Sequence, residues 1–225
     1  MYSAFLVKAY RNLKNMYYKA RNFDHLKGLR DFSDQLLINH VALYQGYVKN
    51  TNHLATLLLN MVKFGRTGIM EYAELKRRFG WEFNGMRLHE LYFENLTKRP
   101  APLKKQSPLY EKLEQDFDQF DIWERGFMSV GGMRGIGWVV LTRDPITGRL
   151  FNIWLDEHDA GFLVGSAPLL VMDVFEHAYL QDYGLNRTAY VQAFMNAIDW
   201  PIVEKRFDAA KVSLGQAPAV RRRVS

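Results

Sequence analysis

A proline-containing segment at residues 98–108 separates two stretches of the chain that follow different hydrophobic patterns. The segment holds three prolines and has no apolar periodicity, which is typical of a boundary between folded units. Upstream of it, apolar residues recur at helical spacing, whereas the downstream stretch also contains runs rich in β-branched residues. The sequence therefore predicts an all-α half followed by a half that contains both helices and strands.

The upstream half is predicted to contain three helices. Ser33 can cap a helix that runs to about Lys49, because apolar residues and His40 follow one side of this segment. A second, short helix is expected over residues 54–62, and Gly80 then interrupts the pattern. A further helix is expected over residues 84–96.

The downstream half is predicted to contain three strands and four helices. The strands are the apolar runs at 138–142, 150–155 and 167–172, and a turn at 144–148 joins the first two as a hairpin. The helices are expected at 110–128, 174–183, 187–197 and 201–210. The pattern indicates an α+β half with a small antiparallel sheet.

The composition limits the chemistry that the chain can carry. None of the 225 residues is a cysteine, so no disulfide and no thiolate metal site can form, and a metal would need nitrogen or oxygen ligands. The net charge of +6 favours anionic partners, either small or polymeric. Part of this charge lies in the linker and at residues 221–223, which is typical of solvated surface. No apolar run is long enough to span a membrane, so no membrane partner is expected.

The first twenty residues allow two interpretations. Leu6, Tyr10, Leu13 and Tyr17 form one helical stripe in a segment that is basic and contains no acid. This pattern is typical of a helix packed on the body of a protein, and also of a mitochondrial transit peptide. Because serine is scarce, we expect the packed helix and a cytoplasmic protein, with a mitochondrial location as the alternative.

Three histidines and one aspartate are candidates for a shared metal site. Asp173 and His177 are four residues apart, so a helix would place them on the same side. His40 and His89 lie on the inward stripes of two different upstream helices. Three imidazoles and one carboxylate suit iron, manganese or zinc.

The segment 173–179, Asp-Val-Phe-Glu-His-Ala-Tyr, resembles the Asp-x-Trp-Glu-His-Ala-Tyr signature of the iron/manganese superoxide dismutase family. The similarity continues along the chain through Asp182, Tyr183, Asn186, Arg187, Tyr190 and residues 196–200. The run Gly-Ile-Gly-Trp at 135–138 is similar to the family's Gly-x-Gly-Trp strand. The resemblance covers roughly residues 28–210, and this ordered string of matches is highly specific.

The resemblance implies a fold, a metal and a reaction. It implies an N-terminal helical hairpin domain at 22–99, followed by an α/β domain at 107–213 with a three-stranded antiparallel sheet. One iron or manganese ion per subunit would be held by four ligands: His40, His89, Asp173 and His177. The substrate would be superoxide, dismuted to dioxygen and hydrogen peroxide by one-electron cycling of the metal, which zinc cannot perform.

The resemblance also implies roles for three residues outside the ligand set. Tyr47 matches the tyrosine that lines the family's substrate channel. Glu176 matches a glutamate that reaches the partner subunit and bonds the ligand histidine there, which implies a homodimer or a dimer of dimers. His158 stands where the family's solvent-bonding glutamine is expected, so its ring should point towards metal-bound solvent.

A second hypothesis is a non-catalytic relative that acts as a scaffold or a nucleic-acid-associated subunit. The basic linker and tails favour this slightly, because phosphate binding needs only Lys and Arg. All four candidate ligands are present, however, and a chain freed from catalysis should lose some of them. We therefore expect the enzyme, with nucleic acid an unlikely partner, and the choice between iron and manganese stays open.

Overall fold

The computed structural model describes residues 17–214, which fold as a long helical hairpin packed against a half built on a three-stranded sheet. The helices are α1 (Asp34–Lys63), α2 (Met70–Glu94), α3 (Pro108–Phe117), α4 (Phe120–Gly131), α5 (Leu180–Tyr183), α6 (Arg187–Asn196) and α7 (Trp200–Leu214). The strands are β1 (Gly137–Arg143), β2 (Leu150–Asp156) and β3 (Ala167–Asp173), and 3₁₀ turns lie at Asp24–Leu26 and Glu176–Ala178. This confirms the predicted α+β class with a helical hairpin before a small antiparallel sheet. Residues 1–16 of the predicted amphipathic helix and the basic run at 221–223 lie outside the described residues.

Helix α1 begins where the sequence predicted and continues past the predicted end. The Ser33 hydroxyl accepts a hydrogen bond from the Leu36 backbone N–H at 3.1 Å and so caps the helix. The prediction of two helices, ending and restarting near Lys49, is wrong: one helix runs to Lys63. Asn50 and Asn52 weaken helix propensity, but Asn52 binds the Tyr18 backbone and Asn50 donates to Glu82 of α2. Tertiary contacts therefore carry the helix through this stretch.

Helix α2 likewise continues through the residue that was expected to interrupt it. The helix begins at Met70 and includes Gly80, so the predicted start near Asn84 is wrong. A glycine inside a helix costs about 1 kcal/mol relative to alanine, which packing along α1 offsets.

Two further predicted helices are broken in the structure. The helix predicted over 110–128 is divided into α3 and α4, because Asp118 adopts a left-handed conformation with φ of 76°. The helix predicted over 174–183 is a 3₁₀ turn followed by the short α5. There the Asp173 carboxylate accepts the backbone N–H of Phe175 at 2.9 Å, which competes with helix formation.

The sheet has the strand order β2-β1-β3 and is antiparallel throughout. Strand β1 is central and buried along its whole length. Its register places Trp138 opposite Asp173 of β3 and Leu155 of β2. The sheet therefore brings the end of β3 and the turn after β2 to the same end of the sheet, where β1 begins.

The two halves are tied together at the ends of α1 and α2. The Ser33 backbone N–H and hydroxyl both donate to the Asp182 carboxylate, at 2.6 and 2.7 Å. Beyond α2, the Asn95 amide donates to the Val171 carbonyl of β3 at 2.6 Å, and Arg206 of α7 donates to the Asn95 side chain at 2.5 Å. These bonds fix the start of the hairpin against α5 and its end against β3.

No helix within residues 17–214 combines the length and apolar character needed to cross a membrane.

Candidate metal centre

Four side chains from both halves meet at the carboxyl end of β3. His40 lies on α1, His89 on α2, Asp173 ends β3, and His177 lies in the 3₁₀ turn that follows. One potential ligand atom from each of the four residues lies within 4.8 Å of the others. The Nε2 atoms of His40, His89 and His177 are 3.0, 3.6 and 3.1 Å from Oδ2 of Asp173. The predicted set is thus brought together, although Asp173 and His177 meet through a 3₁₀ turn rather than through a helix.

The cluster is shielded from solvent except at one ligand. His40, His89 and Asp173 are buried, whereas the His177 side chain is 29% exposed. Aromatic rings close the site: Phe93 lies 4.9 Å from His40, Trp138 lies 4.9 Å from His89, and Phe175 stacks on His177 at 5.2 Å. Among the four ligands, His177 is therefore the one that solvent reaches in a single subunit.

The protonation of the cluster suits metal binding. Burial lowers the pKa of His89 well below its usual value and also lowers the pKa of His40, so both imidazoles are neutral. Burial alone would raise the pKa of Asp173, but the charge of His177 and hydrogen bonds from His177 and His40 hold it well below its usual range. The carboxylate is therefore ionised beside the neutral imidazoles of His40 and His89.

The Nε2 atom of His89 allows a test of whether a metal fits the cluster. His89 Nδ1 donates to the Gly85 carbonyl at 2.6 Å, which leaves the lone pair on Nε2. That Nε2 is buried and has no hydrogen-bond partner among the described residues. A buried lone pair aimed at a carboxylate and two imidazoles fits an ion with mixed nitrogen and oxygen ligands, such as iron or manganese.

His158 and Tyr47 form a hydrogen-bonded pair beside the cluster. His158 lies in the turn that follows β2. This turn is closed by a hydrogen bond of 2.9 Å from the Asp156 N–H to the Ala160 carbonyl. The Trp138 indole N–H donates to His158 Nδ1 at 3.0 Å, so the neutral ring carries its proton on Nε2. That nitrogen lies 2.8 Å from the Tyr47 hydroxyl oxygen and donates to it.

The Tyr47 and His158 rings connect this pair to the ligands. The Tyr47 ring stacks on His89 at 5.1 Å, and the His158 ring centroid lies 6.1 Å from that of His89. Burial raises the pKa of Tyr47 above its usual value and lowers the pKa of His158 to about 4. A neutral imidazole therefore donates to a protonated phenol next to a candidate ligand. The predicted bond from His158 to metal-bound solvent stays a prediction.

Glu176 is exposed and adjacent to the partly exposed His177. Its predicted reach to a partner subunit stays a prediction.

Comparison with known proteins places these features in a family. Residues 105–206 match the model described as "Iron/manganese superoxide dismutases, C-terminal domain". A superoxide dismutase [Fe] of Aquifex pyrophilus is 36% identical over 197 residues, covering 83% of this chain and 90% of that protein. A superoxide dismutase [Fe] of Cupriavidus metallidurans is 35% identical over 81% of this chain and 91% of its own length. Superoxide dismutase [Mn] 2 of Haloferax volcanii is 32% identical over 79% and 88%.

The chain belongs to the iron/manganese superoxide dismutase family. The family predicted from the signature at 173–179 is thereby confirmed. Its relatives include proteins named for iron and proteins named for manganese, in keeping with a ligand set that suits both metals.

Two residues of this family member were missed by the sequence analysis. Gly85 and Trp81 precede His89 by four and eight residues, so all three follow one face of α2. A Cβ atom at Gly85 would lie 2.6 Å from Tyr47 Cδ1, so only glycine leaves room for that ring. The Trp81 ring lies 4.4 Å from that of His158. Helical spacing from His89 was the available signal for both.

Replacing Gly85 with alanine should displace Tyr47 and destabilise the protein. The added methyl overlaps a ring that is held by His158, so we expect a loss of about 1–3 kcal/mol in the free energy of unfolding. The measurement is urea unfolding of Gly85→Ala beside Gly80→Ala, in the same helix. A Cβ at Gly80 would meet nothing within 4 Å, and alanine is the better helix former. The free energy of unfolding of Gly80→Ala should therefore rise by about 0.5–1 kcal/mol. Equal stability of the two variants would contradict the assigned role of Gly85.

His158 should make the folding stability of the metal-free protein depend on pH. Because the folded pKa is about 4 and the unfolded value is near 6.5, only the unfolded chain takes up this proton between those values. This contribution to stability is complete above pH 6.5 and is lost as the pH falls towards 4, by at most about 1.4 kcal/mol per pH unit. Urea unfolding at several pH values should show a shallower slope for His158→Gln. The control is His53→Gln, at an exposed histidine, which should keep the parental slope of stability against pH. A parental slope in His158→Gln would refute the assignment of this pH dependence to His158.

Proposed function

We propose that this chain is a superoxide dismutase that holds one iron or manganese ion per subunit between His40, His89, Asp173 and His177. The observation that carries this proposal is the buried cluster of four ligand atoms within 4.8 Å, which includes an Nε2 of His89 without a hydrogen-bond partner among residues 17–214. Membership of the family supports it. When bound, the metal supplies the one-electron redox change that takes one superoxide to dioxygen and a second, with two protons, to hydrogen peroxide.

The ligand residues position the metal, and their charges determine the net charge of the site. Three neutral imidazoles and one carboxylate contribute a single negative charge, so the site with its metal keeps a net positive charge that attracts superoxide. The surrounding rings of Phe93, Trp138 and Phe175 exclude water and keep the local dielectric low, which strengthens that attraction. The chain's overall charge of +6 acts in the same direction at longer range.

The contacts of Tyr47 with His158 and His89 favour Tyr47 as the proton donor. Its oxygen accepts the proton of His158 Nε2 in a hydrogen bond, so its own hydroxyl hydrogen is free to point elsewhere. Its stacking on His89 keeps the phenol next to the ligands. We assign His158 the positioning of this hydroxyl and Tyr47 the donation of a proton to the reduced product.

Metal analysis together with activity tests the function. The chain, loaded separately with iron and with manganese, should hold about one ion per subunit and dismute superoxide with at least one of them. His89→Ala should lose both the ion and the activity, whereas the exposed His53→Ala should keep both. Tyr47→Phe should keep the ion and lower kcat more than kcat/KM, because proton donation follows capture of the anion. A parent without stoichiometric metal would favour the scaffold hypothesis and refute the enzyme.

The proposed assembly is a homodimer, or a dimer of dimers, built on the face that holds Glu176 and His177. His177 is the one of the four ligands with a partly exposed side chain, and Glu176 beside it has no ion-pair partner among the described residues. Leu180, a little further along, is 45% exposed, so the same face offers apolar surface to a second copy. Each Glu176 would accept a hydrogen bond from the His177 ring of the other copy.

Sedimentation of the metal-loaded protein tests this assembly. Glu176→Ala should shift the equilibrium towards monomer, while Glu111→Ala, an exposed glutamate on α3, should sediment like the parent. A parent that is monomeric and fully active at dilute concentration would exclude the shared interface.

The predicted domains, 22–99 and 107–213, remain our proposal for the chain. The family match beginning at residue 105 supports the second boundary. A cytoplasmic location also stays a prediction.

A further inference from the structure

Trp81 forms the outer layer of a stack of rings that leads to the ligands. Its ring centroid lies 4.4 Å from that of His158 and 5.4 Å from that of Tyr47. Both of these rings are buried, and behind them lies His89. Trp81 itself is only partly buried, so it separates the His158–Tyr47 pair from solvent.

Two charged residues hold the indole in this position. Its N–H donates to Oε2 of Glu157 at 2.8 Å, and Glu157 directly precedes His158 in the turn after β2. On the other side, the Arg78 guanidinium lies 3.8 Å from the ring centroid, a cation–π distance. The indole is thus held between a residue of the sheet half and a residue of its own helix.

Arg78 is in turn anchored to the helical hairpin. Its Nε donates to Glu82 at 2.8 Å, and the Glu82 carboxylate also accepts from Asn50 of α1 at 3.2 Å. The Glu82 side chain is 4% exposed, whereas that of Arg78 is 51% exposed. The Arg78 guanidinium is therefore the exposed partner of this ion pair, and it lies over the outer surface of Trp81.

We propose that Trp81 is the cover of the anion route to the metal and determines the size of anion that can enter, with Glu157 and Arg78 holding it closed. This inference rests on the proposed function. A diatomic anion is far smaller than an indole and can pass with little displacement, whereas an anion bearing a ring would need the space that Trp81 fills. None of the three residues belongs to the ligand set, so each can be changed with the metal ligands intact.

Two carboxylates of different size test the cover. Formate and benzoate present the same binding group and differ in a phenyl ring, so the ratio of their dissociation constants reports the width of the route. The ratio is measured on the iron(III)-loaded protein from the change in its visible absorption. Iron content and thermal unfolding are recorded for every variant.

Trp81→Ala should lower the dissociation constant for benzoate relative to that for formate by about tenfold or more, because removing an indole opens more space than a single methylene. Glu157→Gln should move the ratio in the same direction by less, since the amide still accepts the indole N–H without its charge. Trp154→Ala is the matched control, because Trp154 also lies under an arginine, Arg187, and its indole N–H also faces a carboxylate, Asp156. That control should keep the parental ratio.

The size-selection role is overturned if Trp81→Ala carries full iron and keeps the parental ratio, or if Trp154→Ala changes the ratio equally. Should Trp81→Ala fail to fold or to bind iron, Trp81→Phe decides by the same ratio, since it keeps a ring while removing the N–H and part of the width. A parent that binds no iron overturns the proposed function, and this inference with it. A parent that dismutes superoxide while its variants keep the parental ratio overturns only the inference.

Discussion

The Asp173 carboxylate is the charge on which both halves of the molecule converge. An ionised carboxylate with no solvent exposure would be costly unless it were paired and hydrogen-bonded. Three imidazoles and the Phe175 N–H surround it, and two of those imidazoles come from α1 and α2. The helical hairpin cannot move away from β3 without taking two of these three imidazoles from the buried carboxylate. The same contacts to Asp173 therefore assemble the metal ligands and hold the two halves of the molecule together.

The bonds outside the ligand set decide where the protons lie. The Gly85 carbonyl accepts a hydrogen bond from the Nδ1–H of His89, which leaves the lone pair of Nε2 pointing into the cluster. In His158 the arrangement is reversed. The Trp138 indole N–H donates to Nδ1, so the ring proton lies on Nε2. A carbonyl in one case and an N–H in the other thus orient two imidazoles in opposite senses. Both depend on backbone that is fixed by α2 and by the centre of the sheet.

The ligands and the strands could be predicted from the sequence because their signals are local. The string around Asp173 and His177 carries its own spacing, and the β-branched runs alternate with turn residues. Helix boundaries were predicted less well, because Gly80 and the asparagines near residue 50 are weak helix formers that tertiary contacts override. The roles of Trp81 and Gly85 could not be predicted, because they arise from contacts with Tyr47 and His158, which lie far away in the sequence. A pattern within one helix can show that they share a face with His89, but not what that face meets.

The resemblance implies that an imidazole replaces an amide at residue 158, and we propose that this exchange alters how protons reach the substrate. A glutamine in this place would have a carbonyl to accept the Trp138 N–H and two amide hydrogens to donate. A neutral imidazole has one acceptor and one donor, and here both are in use, by Trp138 and by Tyr47. To donate to solvent bound at the metal, as predicted, His158 would have to exchange its bond to Tyr47 for that one. In the proposed mechanism the Tyr47 hydroxyl is then the remaining donor of this pair, and proton delivery would depend on the space that Gly85 leaves for its ring.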